Sequence, residues 1–272
     1  MSRPENVAPA QYYYNSEEAE KYTSNSRIIE VQAHMSQRAI ELLQLPSSGC
    51  LVLDLGCGSG LSGSELSDSG HFWIGMDISP SMLLVALDRE AEGDLMLADI
   101  GNGFHFAPGC FDGCISISAI QWLCNAEKAS HNPYKRFSNL FNSLYKALAR
   151  GARAVFQFYP AHPQQIEIIT QSAVKAGFMA DMVIDFPEST KAKKYYLILH
   201  TGSKSGYMNP MPLNDEDEVK VSKRKIVKKE KHVKCKNKSK EWIINKKERQ
   251  RKQGKEIRPD TKYTGRKRHD RF

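Results

Sequence analysis

No stretch of this sequence reaches the roughly 18 consecutive apolar residues that a membrane-spanning helix requires, so we expect no membrane contact. Residues 1–6 also lack the apolar segment of a secretory signal. Six cysteines are scattered along 272 residues, and neither a second cysteine pair nor a spaced histidine pair accompanies Cys110, Cys114 and Cys124. We therefore expect reduced thiols in an intracellular chain, with no disulfide framework and no bound metal.

Acidic and basic residues are distributed unequally along the chain. Residues 1–200 hold 15 Lys and Arg against 21 Asp and Glu, whereas residues 201–272 hold 24 against 10. An acidic body with a basic tail is typical of proteins that bind nucleic acid. A solubilising tail or a nuclear-import signal has the same composition, so charge alone leaves these alternatives open.

Apolar runs of strand length alternate with helix-like segments over the middle of the chain. The predicted strands are Cys50–Leu55, His71–Asp77, Asp94–Ile100, Asp112–Ala119, Ala152–Tyr159, Ala180–Phe186 and Lys194–His200. The predicted helices are Ser16–Leu45, Leu61–Asp68, Ser79–Arg89, Pro133–Ala149 and Pro163–Ala176. Strands separated by helices indicate a parallel sheet covered on both faces, and the short final connection makes the last pair antiparallel. We predict a Rossmann-like α/β domain with seven strands.

This pattern divides the chain into three segments. Residues 1–49 form a helical extension whose first 15 residues look loose, residues 50–201 form the α/β domain, and residues 202–272 form the basic tail. The tail has too few apolar residues to fold alone, so we expect it to be disordered. The acidic patch Asp215–Glu218 within it matches no motif and receives no role.

A glycine-rich turn follows the first predicted strand. Gly56, Cys57, Gly58 and Gly60 stand where the strand gives way to a helix, so a ligand can approach the backbone and meet the N–H groups of the helix start. The spacing also fits a dinucleotide site, in which an acid about 20 residues further on, here Asp77, binds a ribose. The loop alone is compatible with a dinucleotide or with S-adenosylmethionine.

Two further acids favour S-adenosylmethionine. Asp54 lies just before the glycines, where a carboxylate suits an ammonium and a sulfonium but repels a pyrophosphate. Asp99 ends the third predicted strand, where it can accept a hydrogen bond from an adenine amino group while Ile100 packs on the ring. Any one such acid is more often a turn or cap residue, but three converge at the carboxyl edge of the sheet. We predict that Asp77, with Ile78 beside it, holds the ribose hydroxyls.

On the glycine loop and the three acids, residues 50–200 resemble the class I methyltransferase superfamily. In that superfamily the end of the fourth strand faces the methyl group, and here Ser116–Asn125 runs through and past that strand end. This segment lacks the Asp/Asn-Pro-Pro-aromatic run that holds exocyclic amines and the Pro-Cys nucleophile of cytosine-C5 enzymes. An acceptor that is already nucleophilic, such as guanine N7, needs only proximity and alignment. Trp122 and Asn125 are candidates for positioning such a base, although Trp122 is equally suited to a core or interface position.

Several segments carry a resemblance to a known family. They are Tyr13–Asn15, Glu18–Ala19, Lys21–Thr23, Asn25–Arg27, Gln32, Met35, Arg38–Ala39, Glu41–Leu43, Ser116–Asn125 and Arg258–Arg268. On these segments, which run nearly end to end, the chain resembles the eukaryotic 18S (small-subunit) rRNA guanine-N7 methyltransferases of the class I superfamily. The resemblance implies S-adenosylmethionine as cofactor, a guanine in the 18S rRNA of the pre-40S particle as acceptor, and a nuclear location. It also implies a small zinc-binding activator subunit shared by several methyltransferases.

Three expectations follow for the partners and the lid. Tyr22 and Arg27 in the helical extension close over the cofactor. The apolar segment 94–99 lies at the edge of the sheet, without proline or lysine, and pairs with a strand of the activator. Basic clusters in the tail, interspersed with Trp242, Tyr263 and Phe272, contact RNA or direct nuclear import.

Two alternatives to this function stay open from the sequence. In the first, the chain acts chiefly as a ribosome assembly factor whose presence matters more than methylation. In the second, it methylates a small molecule or a protein and carries an incidental tail.

Overall fold

The computed structural model describes residues 3–46, 48–126, 131–189, 192–202, 211–214 and 258–262, together with Ile244, Lys247 and Arg251. The chain divides into two compact units, residues 1–217 and residues 218–272. None of the helices in the described ranges combines the length and the apolar character needed to cross a bilayer.

The first unit contains one mixed sheet of seven strands. They are β1 (Leu51–Leu55), β2 (Phe72–Asp77), β3 (Asp94–Leu97), β4 (Phe111–Ile117), β5 (Leu148–Phe158), β6 (Met179–Asp185) and β7 (Lys194–His200). Their order is β3-β2-β1-β4-β5-β7-β6. The first five strands run parallel, and β7 pairs antiparallel with both β5 and β6. The predicted α/β class, the antiparallel final pair and the edge position of the third strand are confirmed.

Within the described part of the first unit, seven α-helices accompany the sheet. They are α1 (Ala10–Tyr13), α2 (Ser16–Ser24), α3 (Ser26–Leu43), α4 (Leu61–Asp68), α5 (Pro80–Asp88), α6 (Pro133–Ala147) and α7 (Pro163–Lys175). Apolar side chains are buried in two clusters: one includes Phe141 of α6 and Phe156 of β5, and the other includes Met35 of α3 and Ile115 of β4. Burial of these side chains against the sheet is the main driving force for the fold.

The amino-terminal extension differs from its prediction. Instead of one helix over Ser16–Leu45, the structure has α2 and α3 separated at Asn25, whose side chain accepts hydrogen bonds from the backbone N–H groups of Arg27 and Ile28. Asn25 is extended and is therefore an N-cap that starts a second helix. Residues 3–15 contain a 3-10 helix at Pro4–Asn6 followed by α1, so the prediction of a loose start is wrong for this described stretch.

Two strand boundaries also differ from their predictions. The third strand ends at Leu97 rather than Ile100, because Asp99 caps a 3-10 helix at Ile100–Asn102. The helix predicted to end at Ala149 ends at Ala147, since Leu148 is already extended and pairs with Phe111 of β4. The fifth strand therefore begins four residues before its predicted start.

The segment 211–214 is held against the α/β body by backbone and side-chain hydrogen bonds. The guanidinium of Arg38 donates to the carbonyl of Met211 at 2.6 Å, and the N–H of Leu213 donates to the carboxylate of Asp185 at 2.8 Å. The N–H of Phe186 in turn donates to the carbonyl of Leu213 at 2.6 Å. These residues belong to the first compact unit, beyond the predicted end of the α/β domain at residue 201.

In the second unit, the carboxylate of Asp260 binds the side chains of Lys247, at 2.9 Å, and Arg251. These two cations hold the pKa of Asp260 below its usual range. The acidic patch Asp215–Glu218, the basic clusters Lys223–Lys225, Lys228–Lys229 and Arg266–Arg268, and the aromatics Trp242, Tyr263 and Phe272 lie outside the described residues.

Candidate active site

A cleft opens at the carboxyl ends of β1, β2 and β4, where an α/β sheet places its ligands. It contains about 910 Å³ of empty space, its open mouth included. Eight of the eleven predicted cofactor residues line it. They are Tyr22, Gly56, Cys57, Gly58, Asp77, Ile78, Asp99 and Ile100. Trp122 lines it too, whereas Asp54, Gly60, Arg27 and Asn125 do not.

The glycine loop forms the floor of this cleft. Gly56 and Gly58 have φ angles of +78° and +53°, which L side chains rarely adopt. A Cβ atom on Gly56 would lie 2.2 Å from the Cβ atom of Ala119 at the end of β4. The loop must therefore be glycine for the two walls of the cleft to approach each other. Gly60, with φ of +79°, is the N-cap of α4 and lies behind the cleft rather than in its lining.

Asp54 lies beneath the glycine loop and is fully buried. One carboxylate oxygen accepts a 2.5 Å hydrogen bond from the hydroxyl of Ser62, and the other has no partner within the described ranges. The pKa of Asp54 is raised to about 7, with burial as the largest cause. The hydrogen bond from Ser62 opposes this rise, and repulsion by Asp77 adds to it. Such a carboxylate is stabilised by a nearby cation, because a positive charge favours its ionised form.

Asp77 joins the glycine loop to the start of α5. One of its carboxylate oxygens accepts from the N–H of Gly58 at 2.9 Å and the other from the N–H of Ser79 at 2.8 Å. Burial raises the pKa of Asp77, and the backbone N–H groups oppose that change. Each carboxylate oxygen offers two lone pairs, so acceptor capacity remains for ligand hydroxyls.

Asp99 is held by a residue that the sequence reading missed. The guanidinium of Arg136, on α6, contacts both carboxylate oxygens of Asp99 at 2.7 and 2.9 Å, and the N–H of Gly101 donates to one of them at 2.9 Å. Arg136 is itself buried and lines the cleft. In the sequence it is one of many basic residues near a helix start, and only the fold brings it to the end of β3.

The amino-terminal extension roofs the cleft. Ala10, Tyr14, Tyr22 and Gln32 line it, and the hydroxyl of Ser79 donates to the carbonyl of Tyr14 at 2.8 Å. Burial is the main cause that raises the pKa values of the Tyr14 and Tyr22 phenols, so both stay neutral hydrogen-bonding groups.

Two further hydrogen bonds hold the start of the chain over the site. The guanidinium of Arg3 donates to the carbonyl of Tyr159 at 2.9 Å, and the side-chain amide of Asn125 donates to the carbonyl of Glu5 at 2.6 Å. Asn125 thus secures the roof from outside the cleft lining. Arg27 is exposed on α3 and does not reach the cleft.

The turn after β4 closes the remaining side. Trp122 is buried and its ring lies 6.0 Å from the ring of Tyr13 and 5.7 Å from that of Tyr14, measured between centroids. Ser118 lines the cleft with a φ of +56°, a strained value for serine. Sequence reasoning did not single out Ser118, since nothing in the residue type announces a left-handed conformation.

The residues present fit S-adenosylmethionine. The glycine loop leaves room for a ligand against the backbone, and one oxygen of Asp54 is buried without a partner among the described residues, beside the loop where a cation would rest. Two more carboxylates, Asp77 and Asp99, line the cleft at successive strand ends. The fold and this site define a methyltransferase of the S-adenosylmethionine-dependent class.

Comparison with known proteins agrees with this class and narrows it. Residues 52–151 match a methyltransferase-domain family, and residues 199–270 match a family described as a methyltransferase involved in Williams-Beuren syndrome. A phosphoethanolamine N-methyltransferase 2 of Haemonchus contortus, solved with S-adenosyl-L-methionine, has the same fold. It superposes with a TM-score of 0.56 at 17% identity, over 75% of this chain and 61% of that one.

Two curated relatives align over nearly the whole chain. The probable 18S rRNA (guanine-N(7))-methyltransferase of Dictyostelium discoideum is 53% identical over 100% of both chains. The 18S rRNA (guanine-N(7))-methyltransferase of Mus musculus is 52% identical over 99% of this chain and 98% of its own. The chain therefore belongs to the family of 18S rRNA (guanine-N7)-methyltransferases, and the predicted family and cofactor are confirmed.

Proposed function

We propose that the protein transfers the methyl group of S-adenosylmethionine to N7 of a guanine in 18S rRNA, as an enzyme of small-subunit biogenesis. The observation that carries this proposal is the end-to-end similarity to relatives of that name, at about half identity. The cleft adds physical support, because the buried and cleft-lining carboxylates suit a cationic cofactor rather than a pyrophosphate.

The bound cofactor supplies an electrophilic methyl group on a sulfonium. Guanine N7 has an exposed lone pair, so the chain needs no general base and acts through proximity and alignment. Asp77 and Asp99 orient the cofactor from the strand ends, and the roof formed by Tyr14 and Tyr22 excludes water. Trp122, in the wall beside the turn after β4, offers an apolar face against which a base can lie.

Nucleoside mass spectrometry of 18S rRNA tests this function directly. We expect 7-methylguanosine to disappear from 18S rRNA in cells without the protein and to return with the wild-type chain. Asp77→Ala and Asp77→Asn should not restore it, whereas Asp88→Ala, which changes an exposed acid on α5, should. If methylation persists without the protein, the proposed reaction is wrong. If Asp77→Asn restores growth without methylation, presence matters more than catalysis.

We also propose that a small zinc-binding activator subunit pairs with β3. Among the strands that the structure describes, β3 contacts β2 alone, so one of its sides is open to another chain. Leu97 on β3 is 59% exposed, and Leu84 and Leu87 on the preceding helix α5 are 61% and 60% exposed. An unpaired edge beside apolar side chains suits strand addition by a partner.

Co-purification tests the activator surface. Leu97→Asp should abolish capture of the activator and lower the soluble yield of the chain, because the edge would then carry a buried charge in the complex. Phe72→Asp is the matched control, since Phe72 is also apolar and exposed but lies at the amino-terminal end of β2. A soluble wild-type monomer that binds S-adenosylmethionine fully without any partner would contradict the proposal.

We infer that the basic tail contacts pre-ribosomal RNA and that the enzyme acts in the nucleus. The family match over residues 199–270 supports a role of the tail in this family's function. A truncation for testing this should end after residue 217, because 211–214 are anchored to the body. Loss of crosslinks to pre-ribosomal RNA is the expected result, and undiminished crosslinking in the nucleus would limit the tail to another role.

A further inference from the structure

The turn after β4 contains a serine in a conformation that its neighbours impose. Ser118 has a φ of +56°, in a region that residues other than glycine adopt only when the surrounding structure holds them there. Three hydrogen bonds to two glutamines hold it there. Its N–H donates to the carbonyl of Gln157 at 2.9 Å, its hydroxyl donates to the side-chain oxygen of Gln157 at 2.7 Å, and its carbonyl accepts from Gln121 at 2.9 Å.

The two glutamines that hold Ser118 are both buried. Gln157 lies on β5 beside Ile117, is fully buried, and its side-chain nitrogen has no partner in the part of the chain that the structure describes. Gln121 is 6% exposed, and its side-chain oxygen likewise has no partner among those residues. Burying amide groups that are only partly satisfied costs stability. Packing alone would favour apolar side chains at these two buried positions. We therefore attribute the two glutamines to a function of the turn that they hold in place.

The consequence of this arrangement is chemical. A serine hydroxyl has one hydrogen and two lone pairs, and the hydrogen of Ser118 is taken by Gln157. The side chain therefore meets the cleft as an acceptor. Ser118 lines the cleft between Ile117 and Ala119, and Ala119 presses directly on the glycine loop at Gly56. Ser118 therefore lies in the wall of the cleft that meets the glycine loop.

We propose that Ser118 is a specificity-determining residue that accepts a hydrogen bond from an N–H group on the Watson–Crick edge of the target guanine. Gln157 and Gln121 are positioning residues that fix the serine in this orientation. A contact on that edge leaves N7 unobstructed for methyl transfer. The inference rests on the proposed guanine-N7 reaction and names the side chain that would read the base.

Replacement of Ser118 tests the proposal with immature small subunits as substrate. Ser118→Ala keeps the strained backbone but removes the acceptor, and Ser118→Gly removes the acceptor while relieving the strain. Both should lower methyl transfer about tenfold or more, in line with one lost hydrogen bond in a site. The Kd for S-adenosylmethionine should stay within about twofold of wild type, because the proposed contact is to the guanine and not to the cofactor. Ser172→Ala, a buried serine of α7 outside the cleft lining, is the matched control and should change neither quantity.

Two further measurements separate recognition from support of the fold. Ser118→Asn, which tolerates the left-handed region and supplies a carbonyl acceptor, should recover part of the activity. The rate of methyl transfer to a substrate with inosine, which lacks the 2-amino group, in place of the target guanine gives a second comparison. For a contact to the 2-amino group, the inosine and guanine rates should differ less in Ser118→Ala than in wild type. Equal activity of Ser118→Gly and wild type would overturn the proposal, as would a loss of cofactor affinity that matches the loss of activity. A wild-type enzyme that methylates no guanine would instead defeat the proposed function itself.

Discussion

The guanidinium of Arg136 donates hydrogen bonds to both oxygens of the Asp99 carboxylate, at 2.7 and 2.9 Å, in the wall of the cleft. The side chains are 9% and 16% exposed, so this ion pair is shielded from solvent. Asp99 is the acid proposed to accept from the adenine amino group, and Arg136 fixes its rotamer from the neighbouring helix. The end of the cleft proposed to take the adenine is therefore built by the residues that follow β3 and by α6 together.

Replacing Arg136 should weaken discrimination at the adenine amino group. Arg136→Met leaves Asp99 without its cation, and breaking a shielded pair of this kind costs about 3–5 kcal/mol. We expect at least a tenfold rise in the Kd for S-adenosylmethionine, measured by calorimetry, and a smaller rise with Arg136→Lys, which keeps the positive charge but not the planar guanidinium. Lys135→Met, at an exposed position on the same helix, is the control. An unchanged preference for adenine over hypoxanthine in the cofactor would refute the assignment.

Cofactor binding should depend on pH through Asp54. The pKa of this buried carboxyl is about 7 in the protein without cofactor, and a cation beside it favours the ionised form. Affinity for S-adenosylmethionine should then fall as pH drops below 7, by up to about tenfold per pH unit. Asp54→Asn should bind more weakly at pH 8 and show a flatter profile. Parallel profiles for both proteins would exclude Asp54 as the source.

Asp54 should also make the stability of the cofactor-free protein depend on pH. Its folded pKa, about 7, lies above the ordinary value of 3.8, so the folded protein retains a proton that the unfolded chain has already released. Stability contributed by that proton is present below pH 4 and is lost as pH rises from about 4 to 7. Denaturant titrations of the cofactor-free protein should therefore show wild type losing stability relative to Asp54→Asn across this window. A difference that does not vary with pH would argue that Asp54 is ionised throughout.

Loosening the roof should speed release of the cofactor. The amide of Asn125 donates to the carbonyl of Glu5 at 2.6 Å, which ties the start of the chain to the turn after β4. Asn125→Ala removes a single hydrogen bond, and we expect a severalfold faster dissociation rate in stopped-flow measurements with little change in chemistry. Asn142→Ala, an exposed asparagine on α6, is the comparison. Identical dissociation rates would mean that the roof does not gate the cofactor.

The sequence predicts the parts of this molecule that depend on local patterns. Apolar runs separated by amphipathic segments define the seven strands, and the glycines and acids at strand ends define the cleft. The contact of Arg136 with Asp99 and the strained conformation of Ser118 depend on partners 37 and 39 residues away in the chain. An arginine and a serine are ordinary residue types, so only the folded contacts distinguish them. The break at Asn25 is local, but the apolar stripe runs past it and predicts one continuous helix.

The junction between the body and the tail offers the last prediction. Asp185 is 1% exposed and accepts from Arg38 at 3.1 Å and from the N–H of Leu213 at 2.8 Å, while Arg38 also donates to the carbonyl of Met211. Asp185→Ala removes the buried carboxylate partner of Arg38, which keeps the exposed Glu41 and the carbonyl of Met211, and should lower the free energy of unfolding by up to about 3 kcal/mol.

Glu41→Ala is the matched control for this change, since Glu41 contacts the same arginine at 2.9 Å but its side chain is 63% exposed. An exposed ion pair contributes at most about 1 kcal/mol, so this variant should stay near wild type in denaturant titrations. Limited proteolysis supplies a second measurement, because release of 211–214 in Asp185→Ala should expose that segment to cleavage before the body unfolds. Cleavage there at the wild-type rate would show that Asp185 stabilises the sheet without anchoring the segment that leads to the tail.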